Sequence, residues 1–189
     1  MELKDAVRYR SSTAPILDEA PEDEELAALV SLAAHAPDHA ALRPWRLSVI
    51  RGRDRHRLGE ALVAGFGDEV GSAAAVKTAA KALRAPLLLG VVLEPVEHRK
   101  VPEWEQLAAT VAMVTTLQLL LFEAGWTAMW RTGPATELAP VRELMGVTDG
   151  QRILGWLYIG RTDQSWIRPE VPTRPLGQRL SALRSEDTP

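Results

Sequence analysis

Apolar positions along the chain change their spacing several times, and each change predicts an element. Over residues 2–10, Leu3, Ala6 and Val7 fall on one side of a short amphipathic helix, and Pro15 stops any continuation. Pro21 followed by Glu22, Asp23, Glu24 and Glu25 reads as a second helix start, because acids in the first turn complement the positive end of the helix dipole. Leu26, Leu29, Val30 and Ala33 then recur at helical spacing as far as Pro37, which pushes the residue before it out of the α region. This places His35 in the last turn, with Asp38 and His39 in the loop beyond.

Over 45–51 the period drops to two, with Trp45, Leu47 and Val49 set against Arg46, Ser48 and Ile50, which predicts a strand. Two helices are expected over 53–64 and 71–83. Residues 86–93 are continuously apolar, as suits a strand covered on both faces. The stretch from Glu103 to Glu123 is the longest helix, nearly uncharged and therefore central, with Gly125 as its C-terminal stop. A short strand over 126–131, a helix over 135–145 closed by Gly146, and a strand over 153–159 apolar on both faces complete the pattern. Residues 161–189 carry Pro169, Pro172 and Pro175 and scattered charges, but Trp166 and Ile167 are costly to expose, so the segment reads as an arm that packs on something. Four strands with five or six helices make helices over one or both faces of a sheet, and alternation alone also permits a doubly wound α/β sheet.

The length of 189 residues, 46% hydrophobic, corresponds to one domain. A net charge of −3 without a polybasic block argues against a dedicated nucleic-acid binder. The absence of cysteine excludes disulfides, thiolate nucleophiles, Cys-ligated zinc and iron–sulfur clusters, and fits a reducing cytosol. The first residues lack a signal-peptide core, and the uncharged run from Gln106 to Phe122 is shorter than the ~20 apolar residues of a membrane span. A cytoplasmic protein without membrane or nucleic-acid partners is expected.

Candidate chemistry is sparse. Gly65-Phe66-Gly67-Asp68-Glu69-Val70-Gly71 has the wrong spacing for a dinucleotide fingerprint, follows a helix, and carries acids that repel a pyrophosphate, so it reads as a loop. His35 and His39 are four apart, but Pro37 separates them and no third ligand is near, so no metal site is expected. His39 lies in a short loop bounded by Pro37 and Pro44, a good place to fix a donor. Arg8-Tyr9-Arg10-Ser11-Ser12-Thr13 offers guanidinium forks and hydroxyls suited to phosphate oxygens, or a solvated basic turn. Trp130-Arg131-Thr132-Gly133, directly after a strand, is a second such cluster with the same two readings. No Ser/His/Asp order or paired-carboxylate signature stands out.

Four segments in order resemble the nitroreductase family of FMN-dependent oxidoreductases, especially its compact members. They are Arg10-Ser11-Ser12; Ala36-Pro37-Asp38-His39 leading to Arg43-Pro44-Trp45; His98-Arg99-Lys100-Val101-Pro102-Glu103-Trp104-Glu105-Gln106; and Gly125-Trp126-Thr127-Ala128-Met129-Trp130-Arg131-Thr132-Gly133. The resemblance implies an α+β fold with a central mixed β-sheet flanked by helices. It implies residues 1–160 as an FMN-binding domain, and 161–189 as an arm of that domain packing on the partner subunit of a homodimer. Arg10, Ser11 and Ser12 fall where the family holds the FMN phosphate, and Arg131 on a second such position beside Trp130 and Thr132. His35 and His39 match positions that reach the flavin from the partner. Leu120, Leu121, Phe122, Glu123, Ala124 and Gly125 match a stretch associated with the nicotinamide donor.

The implied activity takes hydride from NADH or NADPH onto the flavin and reduces nitroaromatic or quinone-like acceptors, by a two-electron ping-pong mechanism without a catalytic side chain. The alternative is a flavin-binding or regulatory dimer without significant nicotinamide turnover. Other flavin chemistry, such as reductive dehalogenation or flavin breakdown, is a further possibility on the same fold. Two departures bear on flavin retention. Ala14 stands where many members have a basic residue, and His35 stands where an arginine gives a permanent charge.

Overall fold

Leu87–Leu93 is buried at every position, which accounts for its unbroken apolar run. It is β2, an interior strand of a sheet ordered β1 (Trp45–Arg51), β2, β4 (Arg152–Gly160), β3 (Thr127–Arg131). The computed structural model describes residues 2–12, 16–163, 175 and 177–180. Ala14 and most of the C-terminal arm, including Trp166 and Ile167, lie outside the described residues.

The helices are α1 (Leu3–Tyr9), α2 (Asp23–Ala33), α3 (Gly52–Phe66), α4 (Ala73–Ala79), α5 (Glu103–Glu123) and α6 (Ala139–Leu144). The α+β class holds, and the described pairings are all antiparallel, where a mixed sheet was expected. Two connections explain this. Between β1 and β2 the chain makes two helices, out along α3 and back along α4, so it re-enters where it left and Arg51 pairs with Leu87. Between β2 and β3 it makes a single crossing along α5, which leaves those strands parallel, but β4 inserts between them and runs against both.

Strand alternation sends side chains to two layers. On one face α2 and α5 bury Leu26, Met113, Val114, Leu117 and Leu121 against Val91, Ala128, Leu157 and Ile159. On the other face Leu58 and Leu62 of α3 and Val141 of α6 pack with Leu88, Val92, Trp156 and Tyr158. Helix α5 is long and apolar enough by composition to cross a membrane, yet Leu117 and Leu121 on it are fully buried in this core. Two glutamines fix it. Gln106 Oε1 accepts the Val96 N–H at 2.8 Å while its Nε2 donates to the Val96 carbonyl at 2.8 Å. Gln118 Nε2 donates to the Ala128 carbonyl at 3.1 Å, tying α5 to β3.

The helix expected over 135–145 is broken. A 3-10 turn, Pro134–Glu137, precedes α6, and Leu138 between them is extended at φ −68°, ψ 125°. A continuous helix would need an N–H from Pro140 to the Thr136 carbonyl, and proline has none.

Candidate functional site

Helix α5 serves as a ruler for the site, because the predicted groups gather at its two ends. At its C-terminal end α1 packs across it, with Leu3 and Ala6 beside Thr116, Leu120 and Glu123 around a cavity of about 190 Å³. Ala6 is buried there, and the Arg10 N–H donates to its carbonyl at 3.0 Å, so the end of α1 fixes the start of the polar turn. Arg10 Nη1 donates to Ser12 Oγ at 3.4 Å, and Ser11 lies half-buried between them. Arg10 meets no carboxylate among the described residues.

The second cluster lies at the other end. Helix α2 runs against α5: near its start Glu25 accepts the Trp126 indole N–H at 2.8 Å, and its far end leads into His35. His39 Nδ1 lies 2.7 Å from Glu105 Oε2, in the first turn of α5. The loop holding His39 is strained: Ala40, Ala41 and Arg43 adopt φ of 66°, 51° and 48°. Each such residue costs on the order of 1–2 kcal/mol, and the strain persists because the surroundings fix it. Asp38 Oδ2 accepts the Arg43 N–H at 2.6 Å, and the Pro44 carbonyl accepts the Glu94 N–H at 2.9 Å. From Glu105 to Leu120 the helix rises roughly 22 Å at ~1.5 Å per residue. Within one chain, therefore, Arg10, Ser11 and Ser12 stand far from His35 and His39.

Strand β3 is the third component. It pairs with β4 on one side and has no strand partner on the other among the described residues, so apart from the Ala128 carbonyl taken by Gln118 its outward backbone groups are not used by a strand ladder. Trp130 and Arg131 occupy opposite faces. Trp130 packs on the α5 side and its Nε1 donates to the Leu154 carbonyl at 3.1 Å. The Arg131 guanidinium lies on the other face, 5.4 Å from the centre of the Tyr158 ring, and exposed Thr132 follows it. The side chain of Arg131 thus does not join Arg10 in one chain. Gly155, at φ +118°, lies across from this point, where a Cβ would overlap the Arg131 carbonyl oxygen. Burial pushes the Tyr158 phenol above its ordinary value, and the charges of Arg131 and Arg84 oppose that shift.

Of the stretch 120–125 expected to meet a nicotinamide donor, Leu121 and Phe122 are buried in the core, which leaves Leu120, Glu123, Ala124 and Gly125 at or near the surface. They lie at the same end of α5 as α1. Sequence reasoning gave no role to Glu105 or Gly155. An acid in the first turn of the central helix was the available signal for Glu105, and a glycine inside an apolar strand for Gly155.

Comparison with known proteins gives consistent matches. The family model described as Nitroreductase family matches residues 7–161. The Escherichia coli (strain K12) protein YdjA, whose name assigns it provisionally as an NAD(P)H nitroreductase, is 33% identical over 161 residues, covering 85% of this chain and 88% of its own. The crystal structure of a nitroreductase-like family protein from Bacillus cereus superposes with a TM-score of 0.84 at 27% identity, over 98% of this chain and 97% of that one. The FMN- and NADPH-dependent nitroreductase NfnB from Sphigopyxis sp. strain HMH shares the fold, with a TM-score of 0.70 at 20% identity over 98% of this chain and 100% of its own.

Proposed function

The chain belongs to the nitroreductase family, and from that premise we propose that it is an FMN-dependent oxidoreductase taking hydride from NADH or NADPH and reducing nitroaromatic or quinone-like acceptors. The observation that carries the proposal is the placement of complementary groups at opposite ends of α5. A two-fold axis crossing the middle of that helix sets the Arg10 end of one chain beside the His39 end of the other. Exposed apolar side chains on α1 and α5 suit such a contact: Leu3 is 71% exposed, Val7 62% and Trp104 68%.

The residues present fit the cofactor. Arg10, free of any described carboxylate, and the Ser11 and Ser12 hydroxyls take phosphate oxygens through charge-assisted and neutral hydrogen bonds. His35 of the partner subunit and His39 of the partner subunit close the pocket from the far side. The outer edge of β3, at Trp130 and Thr132 on either side of Arg131, offers backbone groups to the ring. Leu120, Glu123, Ala124 and Gly125 lie on the same end of α5 as α1 and receive the nicotinamide donor. When bound, the flavin supplies both hydride acceptance and electron return, so the protein's part is to bind, orient and shield. Residues 161–189 are assigned to the partner-embracing arm.

Adding FMN to the purified protein and following NADH or NADPH oxidation with a nitroaromatic tests this reading. Saturable flavin binding with turnover is expected; absence of both overturns it. The second reading, a flavin-binding dimer without turnover, is favoured by His35 standing where the family resemblance suggests an arginine. Anaerobic mixing with either nicotinamide separates the two, because only the enzyme has its flavin reduced.

A further inference from the structure

A second cavity lies on the sheet face away from α1 and α5. It measures about 220 Å³ and sits between α3, the Ala80–Leu83 turn and the β3–β4 edge. Its floor is apolar, made by Leu58, Leu62 and Trp156. Lys81, Arg84 and Arg131 line it as well, and no carboxylate does. None of the three cations has an ion pair among the described residues: Lys81 lies 4.9 Å over the Phe66 ring, Arg131 lies over Tyr158, and Arg84 is free. Three unpaired cations over a greasy floor repel one another and attract a counter-charge. Tyr158 borders the cavity as well, and its buried phenol stays neutral at ordinary pH, so it brings no opposing charge to the three cations.

We propose that this cavity is a binding site for a small aryl anion, a single aromatic ring bearing a carboxylate or comparably charged head. The ring lies against Leu58, Leu62 and Trp156, and the head meets Arg84, Arg131 and Lys81. The cations select charge, and the apolar floor selects an aromatic body over a bare inorganic ion. The cavity shares Arg131 and Thr132 with the β3 edge assigned to the flavin, but it lies on the opposite face of the sheet from the Arg10 cluster, so it can be tested apart from the flavin reading.

Calorimetric titration with benzoate, benzamide and inorganic phosphate tests it, on protein both as purified and saturated with FMN. Benzoate is expected to bind in both forms. Benzamide and phosphate should bind at least about tenfold more weakly, and Arg84→Gln should weaken benzoate by about tenfold through loss of a charge-assisted contact. Ala135→Trp, which adds a large ring to the cavity lining, should abolish benzoate binding while leaving the thermal transition in place. Equal affinity for benzoate and benzamide, phosphate binding as tight as benzoate, no benzoate binding, or indifference to Arg84→Gln each overturns the proposal. Benzoate stacked on a flavin would be insensitive to both variants, so that outcome counts against this cavity and leaves the flavin reading standing.

Discussion

His39 and Glu105, 66 residues apart in sequence, are joined by a 2.7 Å contact between the imidazole Nδ1 and a carboxylate oxygen. The contact orients the ring, because one nitrogen engaged by the carboxylate leaves Nε2 pointing away from it. The strained loop from Ala40 to Arg43 holds the same ring from the backbone side.

Removing Glu105 therefore frees the ring more than it weakens the fold. The pair is open to solvent, with side chains 56% and 27% exposed, so Glu105→Ala should cost less than about 1 kcal/mol of stability. FMN affinity should nonetheless fall several-fold. Flavin fluorescence titration alongside urea unfolding distinguishes the two effects, and unchanged affinity would show that His39 does not reach the cofactor.

Arg10→Ala should weaken FMN binding by about 1.5–3 kcal/mol, the worth of hydrogen bonds to a charged group. Stability should hardly change, since among the described residues Arg10 makes the 3.4 Å contact with Ser12 and the turn bond of its own backbone. The same fluorescence titration reads it.

Gly155→Ala targets the edge of β3 from behind. The new Cβ would collide with the Arg131 carbonyl and occupy a left-handed backbone position, φ +118°. A loss of about 2–4 kcal/mol is expected in chemical denaturation, and the displaced strand edge should lower flavin affinity too.

Tyr158 predicts an alkaline limit. Its folded-state phenol ionises above the ordinary 10.0 because it is buried, so the unfolded chain loses that proton first. The phenol's contribution is complete below that ordinary value and declines as pH rises toward the folded one. The melting temperature should fall above about pH 10, and Tyr158→Phe should remove part of that fall while leaving neutral pH unaffected.

What the sequence made legible follows from periodicity. β1 at Trp45–Arg51 and α5 at Glu103–Glu123 have the expected limits, because two-fold alternation and a long uncharged stretch each admit one reading. The insertion of β4 between β2 and β3 was hidden, since apolar spacing says which face a residue takes and nothing about which strand lies beside it. Pro140 signalled the break in the helix expected over 135–145. Arg10, Ser11 and Ser12 do form one polar turn, whereas the face taken by Arg131 followed from alternation with Trp130 and was not drawn. The His39–Glu105 contact required the folded chain, as residues so distant in sequence carry no local mark of meeting.

The distance along α5 between Arg10 and His39 has a genetic corollary. If the proposed two-fold pairing holds, lesions at the two positions should complement each other. In a mixed dimer of Arg10→Ala and His39→Ala chains, one pocket inherits both defects and the other inherits neither. Co-refolding two individually crippled proteins should regenerate fully competent pockets, one for each hybrid formed.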